Sequence, residues 1–180
     1  MLKNFLHNRI QDLKLSLVTK PSKSDIIFSV IVTLIYAAIA LPAGLLKGFF
    51  KIRVLEIDIL NVVILSFSLF VMPSFLEEIF FRALLLPHKK RKYSLKKQIF
   101  FSLFSIFAFV IWHPVNAIII NYEAHPIFMN PVFLTLATLM AIACTITYLK
   151  SGSVWIPVFI HWITVFVWVL FFGGRNIVLD

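Results

Sequence analysis

The stretch Ile59–Leu86 reads ILNVVILSFSLFVMPSFLEEIFFRALLL. A helix rises 1.5 Å per residue and a bilayer core is about 30 Å thick, so about 20 apolar residues cross it. This run is long enough to span, yet it contains Pro73 and three ionisable side chains, Glu77, Glu78 and Arg82. Placing one ionised residue at the centre of a membrane helix costs about 2.5–3.5 kcal/mol. Three in one apolar helix need partners or an aqueous cavity.

Four further runs have the same character: Ile26–Leu46, Ile99–Ile120, Phe128–Leu149 and Val154–Phe172. They predict an all-α, polytopic transmembrane helical bundle of about five spans. Six result if Pro73 and Pro114 split the second and third runs. The composition agrees. Hydrophobic residues are 61% and charged residues 14% of 180, too apolar for the surface of a small soluble domain. Disorder requires low hydrophobicity, and a disulfide scaffold requires more than the single Cys144.

The net charge of +9 is distributed unevenly. Basic residues crowd residues 1–25 (Lys3, Arg9, Lys14, Lys20, Lys23) and the second loop (Lys89, Lys90, Arg91, Lys92, Lys96, Lys97). Lys150 stands in the fourth loop. The first loop has Lys47, Lys51 and Arg53 beside Glu56 and Asp58, the third has only Glu123, and Arg175 lies at the C-terminal end. The lysine and arginine bias predicts a cytoplasmic N-terminus. It explains the basic balance without nucleic acid, for which no motif is present. Residues 1–25 lack the compact apolar core and cleavage site of a signal peptide. Leu2, Phe5, Leu6, Ile10, Leu13 and Leu17 recur at helical spacing there, so this basic segment reads as an amphipathic helix on the cytoplasmic leaflet or as a disordered basic tail. Residues 26–172 form one membrane domain and 173–180 a short tail. The protein is expected to be integral to a membrane, a bacterial plasma membrane or a related internal one.

Glu78 and Arg82 are spaced i,i+4 with the acid first, the favourable order for a pair on one helix face. Glu77 is rotated about 100° away and has no local partner. A carboxylate held from water without a cation suits general acid or base chemistry. His113, late in the third run, and His161, in the fifth, are the intramembrane histidines. His7, His88 and His125 fall in the tail or loops and are expected to be solvated. Each feature alone has a structural explanation, a helix staple or a bridging hydrogen bond. An acidic pair and two histidines on three spans are harder to explain so, because buried polar groups are costly.

These residues resemble a known family. Glu77-Glu78-x-x-x-Arg82, Phe109-x-x-x-His113, and His161 preceded by Gly152-Ser153-x-Trp155-x-Pro157 look like the motifs of the CPBP family. Its members are the CAAX proteases and bacteriocin-processing intramembrane endopeptidases, also called the Abi family. The likeness runs over residues 74–172. It implies a helical membrane fold with a water-accessible cavity, and a peptide or membrane-protein substrate. It implies that Glu77 and His113 hold and deprotonate a water, that His161 stabilises the oxyanion, and that Glu78 and Arg82 orient this set. The family usually carries Asn or Asp four residues after the last histidine, where this chain has Val165. Thr164 is one position earlier, and Asn116 is another candidate donor. The chain has fewer spans than the prenyl-protein processing members, which counts against a prenylated substrate.

No cofactor is expected. The alternative is zinc, for which Glu77, His113 and His161 have suitable ligand types. The Lys89–Lys97 loop is expected to meet anionic lipid. Trp155 is placed as an interfacial anchor and Trp162 as a wall of the site, whereas Cys144 reads as a buried small residue. Two other functions fit the same residues: a non-catalytic scaffold or bacteriocin-immunity-type protein, and a small proton-coupled transporter. The absence of an internal repeat counts against the transporter.

Overall fold

The computed structural model describes the backbone of residues 2–91 and 93–174 and the side chains from His7 onward; Lys92, Arg175 and most of the tail lie outside it. Six principal helices follow one another: α1 Leu2–Val18, α2 Lys23–Leu46, α3 Ile59–Leu84, α4 Leu95–Ile119, α5 Pro131–Ser151 and α6 Trp155–Phe171. Short helical turns at Tyr122–Ala124 and His125–Phe128 join α4 to α5. Four helices, α2 to α5, have the length and hydropathy of a membrane span, and α6 is a shorter apolar helix of 17 residues. At 1.5 Å per residue α6 still reaches about 26 Å, close to the thickness of the hydrocarbon core.

Local chemistry sets the helix ends. Ser22 and Asp25 cap α2 reciprocally, the Asp25 N–H donating to Ser22 Oγ at 3.2 Å and the Ser22 N–H to Asp25 Oδ2 at 2.9 Å. Asp58 accepts from the Asn61 N–H at 3.0 Å to start α3. Asn130 caps α5, with Pro131 at its first position. Gly152 ends α5 at φ +70°, and a Cβ there would sit 2.8 Å from the Lys89 side chain. The position therefore needs glycine for both conformation and space. Neither proline divides a span. α3 departs from helical geometry at Met72 (φ −130°, ψ 122°) and resumes after Pro73, and α4 runs through Pro114. The five-run reading therefore stands, and the six-span division does not.

Loop contacts alternate between two ends of the bundle, as sequential crossings demand. At the basic end, the Val154 N–H donates to the Ser16 carbonyl at 3.2 Å, and the Trp155 indole N–H to that of Leu17 at 2.9 Å. Lys150 Nζ lies 3.6 Å from Asp25 Oδ1 there. At the other end, the first loop lies along the end of α6. Lys51 N–H donates to Phe172 O at 3.3 Å, Arg53 N–H to Phe171 O at 3.1 Å and Leu55 N–H to Leu170 O at 2.8 Å. Phe49 packs there against Phe133 and Trp168. The central helix is α5: half of its apolar window is buried, against 22% or less for the other three long spans. Large apolar side chains such as Leu34, Leu60, Phe67 and Phe107 face outward. That outward surface suits acyl chains rather than water.

The N-terminal segment is helical, and it docks on protein at the basic end. Leu13 and Leu17 pack on a core containing Leu86, Tyr148 and Val154. Its buried face also carries Arg9, Asp12 and Ser16. Asp12 pairs with Arg9 at 2.6 Å and with Arg91, whose guanidinium also donates to Gln11 Oε1 at 2.9 Å. One cation of the second loop thus holds α1, while Lys89, Lys90, Lys96 and Lys97 remain exposed.

His88 corrects the sequence expectation. It is fully buried rather than solvated, between Thr19 and Gly152. Its Nε2 lies 2.9 Å from the Gly152 carbonyl, and its Nδ1 accepts the Lys90 N–H at 3.2 Å. A neutral ring with the proton on Nε2 satisfies both bonds. Burial pushes its pKa below the ordinary histidine value. The unfolded chain therefore binds a proton that the folded one resists, and stability falls as pH drops below about 6.5. Thermal unfolding in detergent from about pH 7.5 to 5.0 should show a falling Tm for the wild type and a shallower fall for His88→Gln. Parallel curves would separate His88 from this loss.

Candidate active site

Glu78 is the junction of the buried polar cluster. Its Oε2 forms an ion pair with Arg82 Nε at 3.1 Å, and both side chains are fully buried. Its Oε1 lies 3.0 Å from His161 Nδ1 on α6. Arg82 donates through Nη2 to the Ala141 carbonyl on α5 at 3.2 Å, and its guanidinium lies 4.6 Å above the Phe109 ring on α4. Four helices thus meet through one acid–base pair. The i,i+4 spacing predicted the Glu78–Arg82 pair. It could not predict the bond to His161, because a separation of 83 positions carries no spacing rule.

Glu77 points to a different set of groups. Its Oε1 accepts the Trp112 indole N–H at 3.3 Å, and its buried Oε2 has no hydrogen-bond partner. The absence of a partner on its own helix holds, but α4 supplies one that the sequence reading missed. His113, the next residue on α4, has Nδ1 2.9 Å from the Phe109 carbonyl. A carbonyl only accepts, so Nδ1 carries the proton and Nε2 keeps its lone pair. The ring is packed edge-on against Phe109, Phe128 and Phe133 at 4.9–5.1 Å. Glu77, His113 and His161, from three helices, line one cavity of about 400 Å³.

A family model described as type II CAAX prenyl endopeptidase Rce1-like matches residues 59–167, more than half of the chain. The chain belongs to this family. No curated protein and no solved structure gives a match. Membership makes the chain a member of a membrane peptidase family, in agreement with its apolar helices. The matched residues run from the start of α3 into α6, so α1 and α2 lie outside them. α2 nevertheless contributes Thr33, Tyr36 and Ala40 to the cavity wall.

Much of that wall is apolar or aromatic, with Phe49, Phe128, Phe133 and Phe172 towards the end opposite α1. Thr164 and Val165 both line it. Asn116 is not among the lining residues. Trp162 corrects its expected place: its indole N–H donates to the Ser66 carbonyl at 2.9 Å and its ring packs on Phe70, Phe159 and Phe166, away from the cavity. Trp155 joins α6 to α1 through Leu17. Cys144 is fully buried, with Sγ 3.7 Å from the Pro157 carbonyl. Among the described residues, no three His, Cys, Asp or Glu side chains are arranged to hold a metal ion.

Proposed function

We propose that the protein is an intramembrane endopeptidase that hydrolyses a peptide bond with a water activated by Glu77 and His113. The reading is carried by one observation: Glu77 with an unpartnered buried Oε2, His113 and His161 line the same cavity in an apolar interior. The water gives one hydrogen bond to Glu77 Oε2 and the other to His113 Nε2. As its oxygen attacks the carbonyl carbon, its proton passes to Glu77. Glu78 Oε1 accepts from His161 Nδ1, and in this step His161 acts as the imidazolium, whose second proton, on Nε2, meets the oxyanion; Arg82 fixes Glu78. Glu77 then returns the proton to the leaving amine as the C–N bond breaks. No metal takes part; zinc held by Glu77, His113 and His161 is the competing arrangement.

The substrate is a membrane-bound peptide or protein whose scissile bond reaches this apolar cavity. The exposed lysines of the Lys89–Lys97 loop contact anionic head groups on the same side as the N-terminus, taken as cytoplasmic. The membrane is a bacterial plasma membrane or a related internal one. A second reading, a non-catalytic scaffold or immunity-type protein, is favoured by Val165. An oxyanion donor is worth about 10²–10³ in rate, and Val165 offers no side-chain donor beside His161.

The test is purified protein in liposomes, given a prenylated CAAX peptide and, separately, an unprenylated transmembrane peptide. Wild type should cleave at least one, and His113→Ala should lower the rate about 10²-fold or more. A metal chelator should leave the wild-type rate unchanged. Equal rates in wild type and variant would remove His113 from the reaction, and loss of activity to the chelator would favour the zinc arrangement.

A further inference from the structure

We infer that Trp112 is a positioning residue for Glu77, an inference that rests on the reading of Glu77 as the base. The indole Nε1 donates to Glu77 Oε1 at 3.3 Å, and no partner engages Oε2. A carboxylate has two oxygens and rotates about its last side-chain bond. One fixed donor removes that freedom and selects which oxygen meets the reacting water. The donor is neutral and carries only one hydrogen, so it orients the carboxylate without neutralising it. An arginine or lysine there would fix Glu77 equally well but would hold it as a paired anion with less basicity. Glu78 is treated in that opposite way, with Arg82 at 3.1 Å. The two neighbouring glutamates are thus given different partners, a cation for the one that organises the cluster and an indole for the one that takes a proton.

The backbone sets this placement. Trp112 and His113 are consecutive on α4 and point about 100° apart. One reaches Glu77 directly, and the other lines the cavity that Glu77 also lines. His113 is itself fixed by the Phe109 carbonyl on the preceding turn. A single helical turn of α4 therefore sets both groups that meet the water, one through its own side chain and one through a neighbour. Near-attack geometry is demanding, and a displacement of about 1 Å can cost about 10² in rate.

Trp112→Phe keeps an aromatic ring and deletes the donor. In liposomes it should lower kcat about 10- to 100-fold with KM little changed. In a Glu77→Gln background it should add no further loss, because the group it positions is no longer a base. A wild-type kcat in Trp112→Phe overturns the inference, and so does a full additional loss on top of Glu77→Gln, which marks a packing role. Infrared difference spectra supply a readout independent of turnover. The carboxyl band assigned to Glu77 by its disappearance in Glu77→Gln should shift in Trp112→Phe, and an unshifted band overturns the inference even if that variant is poorly active. Unchanged activity in Glu77→Gln itself would instead sink the assignment of the base, a distinct failure.

Discussion

Glu77→Gln is expected to lower kcat for peptide cleavage by about 10²–10⁴, the usual share of a positioned general base. The substitution is nearly isosteric. A glutamine carbonyl oxygen can still accept the Trp112 indole N–H that Glu77 Oε1 accepts at 3.3 Å. What disappears is basicity at Oε2, the oxygen with no partner. Thermal unfolding should therefore change little while turnover collapses, a separation that an unfolding variant cannot imitate. The same variant sorts the competing functions. A scaffold needs shape and would keep its cellular phenotype in Glu77→Gln. A proton-coupled carrier would lose solute or proton flux in liposomes, with no cleavage in the wild type to lose. Unchanged cleavage in Glu77→Gln would mean that another group takes the proton from water.

What could be read in the sequence follows from the range of the interactions concerned. Span number came from run length against bilayer thickness, a local property, and the second run survived Pro73 because α3 breaks only at Met72 and resumes. The Glu78–Arg82 pair came from the 3.6-residue helical period. Interactions between helices were not legible in this way. The bonds of Glu78 to His161 and of Glu77 to Trp112 join residues 83 and 35 positions apart. Family resemblance grouped the motif residues, but Trp112 is an unspecified position within Phe109-x-x-x-His113, and nothing marked it as Glu77's partner. His88 was misread for a related reason. It falls in a loop and was therefore expected to be solvated, yet Thr19, just past α1, and Gly152 close over it. The turn from α5 to α6 and the N-terminal helix meet there only in three dimensions. Trp162 was misplaced because adjacency to His161 says nothing about facing: consecutive helical residues diverge by about 100°.

Glu78 and Arg82 should show unequal penalties when each is removed. Both side chains are fully buried, and breaking such a pair by deleting one partner costs about 3–5 kcal/mol, mostly from the charge left behind. The two residues do not leave the same charge behind. Glu78→Gln strands Arg82 with the Ala141 carbonyl and the Phe109 ring, neither of which is an anion. Arg82→Gln leaves Glu78 its contact with His161 Nδ1 at 3.0 Å, so the carboxylate keeps a hydrogen-bond partner. Unfolding in mixed micelles should therefore show the larger loss for Glu78→Gln, and the double variant should be less destabilised than the two single losses added together. Activity should follow the same asymmetry. Glu78→Gln removes the anion that orients His161 Nδ1 and should abolish turnover, whereas Arg82→Gln should retain a measurable fraction because the Glu78–His161 contact persists. Equal destabilisation and equal inactivation by the two variants would mean that the pair acts as a single staple, and that Glu78 has no separate part in holding His161.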